Sequence, residues 1–108
     1  MPESQHIHRI DKFCVPESAR AEFLIRTHEA DQVLRGQPGF IQHRVLQQVD
    51  GPGRFNFVTI AVWEDAKAMA AAREKIAARY RAIGFEPRVL LGRLGIEADL
   101  ANYIEIAN

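Results

Sequence analysis

His43, Asp11 and Arg73 are side chains whose type and setting could move a proton or hold a developing charge. His43 stands in an alternating row with Ile41, Val45 and Val49. A histidine on an apolar face can act as a base near neutral pH, or it can pack as a satisfied core or interface residue. Asp11 shares a row with Phe13 and Val15, where a carboxylate could accept a phenolic proton. The alternative is a pair with Arg9 or Lys12 in water. Arg73 lies one turn beyond Met69, beside the inner stripe of a helix. There a guanidinium can stabilise an enolate or phenolate, or simply be solvated.

A second set could shape a binding pocket. The Trp63 indole N–H can donate to a ligand oxygen, or Trp63 can be a core aromatic that packs on the following helix. Met69 and Tyr80 lie on the inner stripe of that helix, and the Tyr80 hydroxyl could reach a ligand. Asn56 either faces the pocket or extends a hairpin. His6 and His8 point to one side of a strand, but without a third acidic or thiol ligand they make no metal site. No Gly-rich phosphate loop, nucleophile elbow or paired-cysteine motif is present.

Several elements must position these residues. His6 to Val15 reads as a first strand, stopped by Pro16, after a loose arm over residues 1–5. A helix follows from Glu17 to Arg35, with Phe23, Thr27, Ala30 and Leu34 as its inner stripe. Gly36 suits a left-handed C′ position, and Pro38 prevents continuation. Phe40 to Val49 is a second strand, and Asp50-Gly51-Pro52-Gly53 is turn chemistry leading to a third strand, Arg54 to Trp63. Asp65 can cap a helix from Ala66 to Ile83 that buries Met69, Ala72, Ile76, Tyr80 and Ile83, with Gly84 ending it. Pro87 opens a short helix, Arg88 to Leu94, closed by Gly95. Ala101 to Ile106 reads as the last strand.

This order is the α+β, ferredoxin-like βαββαβ plan with an antiparallel four-stranded sheet, built as a single domain over 1–108 with its core at about 6–106. The third strand is apolar on both faces: Phe55, Phe57, Ala61 and Trp63 alternate with Val58, Ile60 and Val62. Helices can cover only one face, so a sheet-to-sheet homodimer is expected. Lys plus Arg is 14 and Asp plus Glu is 14, a balance that offers nucleic acid or an anionic membrane no net attraction. Cys14, the one cysteine, has no internal disulfide partner. With no apolar run long enough for a leader or a span, a cytoplasmic location is expected.

Phe13-Cys14-Val15-Pro16, Gln37-Pro38-Gly39-Phe40, and Gly53-Arg54-Phe55 leading to Val62-Trp63-Glu64-Asp65 follow one another in a recognisable order. Through them, Ile10 to Phe85 resembles the antibiotic biosynthesis monooxygenase-like domains of the dimeric α+β barrel group. That group contains cofactor-free oxygenases of aromatic polyketides, quinol oxygenases and haem-degrading proteins. The resemblance implies one pocket per subunit between sheet and helices, with Trp63 matching the strand-end tryptophan that lines it. The resemblance by itself fixes no reaction; taken with the polar residues in apolar rows, it makes a cofactor-independent monooxygenase acting on an electron-rich phenol or quinol the leading expectation. Trp63 would orient substrate, His43 or Asp11 would transfer a proton, and Arg73 would stabilise charge, with no cofactor or metal. The haem-degrading members carry an asparagine near Asp11 and an axial histidine on the second long helix, whereas this chain has no histidine after His43. Alternatives are a non-catalytic ligand-binding or stress-responsive barrel, whose own side chains would fill the pocket, and haem binding.

Overall fold

The computed structural model describes residues 5–107; residues 1–4 of the expected arm, and residue 108, lie outside the described residues. The elements are β1 (Ile7–Cys14), a 3-10 turn (Glu17–Ala19), α1 (Arg20–Arg35), β2 (Phe40–Gln47), β3 (Phe57–Trp63), α2 (Ala66–Ile83), α3 (Pro87–Leu94) and β4 (Glu97–Tyr103). The sheet order is β2-β3-β1-β4 with every neighbour antiparallel. This is the ferredoxin-like arrangement, in which each βαβ pair is split by a strand from the other. Among the described residues, no helix is long and apolar enough to cross a membrane.

Local chemistry explains the boundaries. The Asp65 carboxylate accepts the Ala68 N–H at 2.8 Å and caps α2. Both α2 and α3 end in left-handed glycines, Gly84 and Gly95, with the paired closing bonds of a Schellman turn. In the second turn the Ile96 N–H bonds to Leu91 O at 2.9 Å, which drops Ile96 into the core. Ile96, Phe13, Val15, Ala19, Phe23 and Phe57 form that core. Its aromatic centre is the edge-on Phe13–Phe23 pair at 5.1 Å and the tilted Phe23–Phe57 pair at 5.0 Å.

Several expected features move. Gly36 has φ −88°, not a left-handed value. The positive φ falls on Gly39 (81°), because Gln37 to Phe40 make a turn with Pro38 second, Gly39 third and Phe40 N–H on Gln37 O at 3.2 Å. That is the pattern of a type II turn. Strand β2 stops at Gln47, leaving Val49 92% exposed, and it carries a bulge between Phe40 and Gln42. Ile41 is therefore out of the row: Phe40 (opposite Trp63) and His43 (opposite Ala61) share the helix side. Strand β3 begins at Phe57 instead of Arg54, since Asn56 bridges to the end of β1 and Arg54 turns out to Glu97. Strand β4 spans Glu97–Tyr103, not 101–106. It meets β1 as soon as Ile96 is anchored, with Glu97 opposite Cys14, and the pairing runs to Tyr103 opposite His8. Ile83 continues the stripe of α2 in sequence but is 68% exposed at the helix end.

The helix-side face of β3 presents Phe57, Thr59, Ala61 and Trp63; the opposite face presents Val58, Ile60 and Val62, with Ile10, Leu46 and Tyr103 on neighbouring strands. The turn at Gly39 is clamped to the start of α2. Gly39 O accepts the Glu64 N–H at 2.8 Å, and a Cβ added at Gly39 would overlap the Ala68 Cβ. Gly51 also has positive φ (100°), but nothing lies within 4 Å of its would-be Cβ. Gly39→Ala should therefore lower unfolding free energy by about 2–4 kcal/mol, strain plus overlap, and Gly51→Ala by about 1 kcal/mol. Urea unfolding of the two variants side by side reads the difference.

Candidate active site

Between the packed Phe13–Phe23–Phe57 cluster and the Phe40–Trp63 pair, the sheet and helices do not close on each other. They leave a cavity of about 540 Å³. Its floor is the helix side of the central strands, including Asp11, Thr59 and Ala61. Its walls come from α1, α2 and the α3 region. Trp63, His43, Asp11, Arg73, Met69 and Tyr80 all line it.

Each polar group reaches the cavity for a local reason. Trp63 is 4% exposed and meets the Phe40 ring edge-on at 5.5 Å, so the indole is fixed at the junction of β3 and α2. Tyr80 faces Phe85 edge-on at 4.9 Å, because the Schellman turn at Gly84 swings Phe85 back under the helix. Burial pushes the Tyr80 phenol up from its ordinary 10.0, so it is a proton donor throughout the physiological range. Asp11 accepts the Arg9 Nε–H at 2.6 Å, and both side chains lie in the cavity wall instead of in open water. Arg73 has no ion-pair partner among the described residues.

Asn56 is elsewhere. Its Oδ1 accepts the Val15 N–H at 2.8 Å and its Nδ2 donates to Val15 O at 2.9 Å, so its amide ties the hairpin to the end of β1. Sequence reasoning singled out neither Arg9 as a cavity residue nor Asp31. Arg9 was legible from the alternation Arg9-Asp11-Phe13. Asp31 was legible only as the position four residues after Thr27. It approaches His43 Nδ1 at 3.0 Å through Oδ1, while Oδ2 accepts the Arg35 Nε–H at 2.7 Å. Arg26 also borders the cavity: its Nε is buried without a partner, and its guanidinium lies 5.7 Å from the Phe85 ring centroid. Apart from these groups the lining is mainly aliphatic and aromatic, so the cavity is an apolar space with a few polar groups on its walls. Among the described residues no cluster of His, Cys, Asp and Glu could hold a metal ion.

The bond from Arg35, then that from His43, holds the Asp31 carboxyl below its ordinary 3.8. A carboxyl depressed by folding stabilises the fold at pH above its unfolded value, and that contribution is lost as pH falls through the lower, folded value. Asp31→Asn should therefore lose less stability between pH 7 and pH 3 than the unaltered chain. Urea midpoints at the two pH values (roughly neutral and roughly one unit below the carboxylate range) check this.

A family model described as antibiotic biosynthesis monooxygenase matches residues 7–79. No curated protein sequence matches the chain. Among solved structures, a putative monooxygenase from Shewanella loihica PV-4 is 19% identical, with TM-score 0.74 over 99% of this chain and 100% of that one. SnoaB, a cofactor-independent oxygenase from Streptomyces nogalater, is 23% identical, with TM-score 0.68 and 97% of each chain covered. MhuD, a haem-degrader from Mycobacterium tuberculosis solved with two haems in its active site, is 20% identical, with TM-score 0.68 over 94% of this chain and 97% of that one. At these identities the structural likeness speaks for the fold, and the family match covers more than half of the sequence. The chain belongs to the antibiotic biosynthesis monooxygenase family.

Proposed function

We propose that the protein is a cofactor-independent oxygenase of an electron-rich aromatic, a phenol, quinol or anthrone of fused-ring size, working as a homodimer in the cytoplasm. The observation that carries this reading is the open, mainly apolar cavity of about 540 Å³ with Trp63, Tyr80, His43, Asp11 and Arg73 on its walls. A pocket closed by its own side chains would have favoured a non-catalytic barrel.

The chemistry asks little of the protein beyond placement. Removal of a proton leaves an electron-rich anion that passes one electron to dioxygen. The resulting radical and superoxide join at carbon as a hydroperoxide, which loses water to leave a carbonyl. An anthrone CH2 thus becomes C=O, one oxygen atom enters the product, the other leaves as water, and every electron comes from the substrate. His43 or Asp11 takes the proton, Arg73 faces the developing anion, and the Trp63 N–H and Tyr80 O–H orient the oxygens. A dry cavity strengthens each of these interactions.

Aerobic incubation with a panel of quinols and anthrones, followed by oxygen uptake, tests the reading. Turnover above buffer is expected, and Trp63→Phe should lower it by about tenfold or more while circular dichroism shows the fold retained. No turnover across the panel, or full turnover in the variant, overturns it. The fold likeness to a haem-degrader motivates haem titration as the control. A Soret shift would move the reading to haem binding, although α2 carries no histidine.

The dimer is supported by the sheet face opposite the helices, where half-buried Val58 and Ile60 of β3 lie with Ile10 and the exposed Leu46 and Tyr103, among the charged Lys12, Arg44 and Asp99. Ile60→Lys should convert the dimer to a monomer in light-scattering chromatography, because a desolvated lysine without a partner costs several kcal/mol, on the order of a lost interface. A monomeric parent chain, or a variant that stays dimeric, would refute it.

A further inference from the structure

The geometry points to Asp31 as the positioning residue of the cavity's base. It holds His43 as the Nδ1–H tautomer, so that Nε2 is the atom that takes the substrate proton, a role that rests on the oxygenase reading for its kinetic consequence.

Asp31 is set by two bonds to different oxygens: Oδ1 meets His43 Nδ1 at 3.0 Å and Oδ2 accepts from Arg35 Nε at 2.7 Å. A carboxylate so held cannot rotate without breaking one of them. The guanidinium beside it keeps it ionised, and an ionised carboxylate only accepts. The nitrogen facing it must therefore carry the hydrogen. In the neutral ring the other nitrogen is then the lone-pair atom. The His43 side chain is 6% exposed and lines the cavity, and its Nε2 has no protein partner among the described residues. Asp11, the other candidate base, is already engaged by Arg9 at 2.6 Å.

The chain is built to bring the pair together. Asp31 and Arg35 are i, i+4 on the last turns of α1. The type II turn at Pro38-Gly39 reverses the path into β2. The bulge at Ile41 then decides which way His43 points. With regular alternation after Phe40, Gln42 would face the helices and His43 the open face of the sheet. One extra residue reverses this and aims the imidazole at α1 and the cavity. Asp31 does not line the cavity, so it acts on the substrate only through His43.

Long-range proton–nitrogen spectra of the full-length nitrogen-15-labelled protein, recorded across a pH series, read the tautomer of the neutral ring directly. The expected result is a single Nδ1–H form in the parent chain and loss of that preference in Asp31→Asn. With a dihydroxyanthrone as substrate, Asp31→Asn should reduce kcat by about a hundredfold or more and leave KM within about threefold. A parent spectrum showing the Nε2–H form or an even mixture overturns the assignment without need of any variant. So does an Asp31→Asn protein that keeps the parent tautomer, or one that changes tautomer while kcat stays. If the parent turns over no substrate, the oxygenase reading fails by itself and the spectra still decide the tautomer.

Discussion

The contact between the Pro38-Gly39 turn and the first turn of α2 leaves no room for a side chain at position 39, and the cavity is organised around it. Four elements meet there. Strand β3 ends in Trp63, the backbone of Glu64 bonds to Gly39 O, Asp65 caps α2, and β2 starts with Phe40 against the indole. Bringing the backbones so close requires a glycine with positive φ, placed by a proline of fixed φ before it. Once this corner is fixed, α2 has a set origin over the sheet. Its stripe of Met69, Ile76 and Tyr80 becomes a wall at a set distance instead of sinking onto the strands.

A wall held off the floor is costly, because apolar surface left unpacked forgoes dispersion contacts. The molecule concentrates its tight packing elsewhere. The Phe13–Phe23–Phe57 cluster sits at one end of the sheet and Phe40–Trp63 at the other, so the hollow is bracketed by well-packed aromatic groups. Its polar groups are for the most part compensated locally. Arg9 faces Asp11, Arg26 is shared between Glu22 and Glu29, and His43 leans on Asp31 and Arg35. Arg73 is the exception among the described residues, a positive charge beside an apolar space without an anion of its own. Arg73 is itself exposed on α2, so water screens its pull on an occupant that is or becomes negative.

What was legible in the sequence was whatever depends on local chemistry. The Asp65 cap, the Gly84 and Gly95 stops, the proline at the first position of α3 and the stripe of α2 all follow from residues within a few positions of each other. The period-two rows of β1 and β3 and the stripe of α2 likewise carry Asp11, Trp63, Met69 and Tyr80 to one space. What was not legible depends on pairing across distance. Strand β4 carries Glu97 and Asp99, which read as loop until β1 and Arg54 are present to receive them. The bulge at Ile41 leaves no compositional mark: the row Ile41, His43, Val45, Val49 loses Ile41 to the bulge and Val49 to the early end of β2, and only Val45 stays on the side of His43. Asn56 looks like a pocket amide until the Val15 backbone is seen to use both of its ends. Asp31, one step off the inner stripe of α1, acquires meaning only through a strand residue beyond the turn.

Strand β3 ties the two faces of the sheet together. Thr59, Ala61 and Trp63 look into the cavity, while Val58, Ile60 and Val62, interleaved with them, look the other way. Successive residues of a strand share one backbone, so the twist of β3 cannot change for one set without the other. On the dimeric reading, a partner packed against Val58, Ile60 and Val62 therefore does more than cover apolar surface. It fixes the backbone whose next residues form the cavity floor, and through Ala61 it fixes the partner position of His43. A monomer would leave that central strand braced on one side only, with the spacing between Trp63, His43 and Asp11 free to vary with the sheet. Association and the geometry of proton transfer are then consequences of the same seven-residue strand.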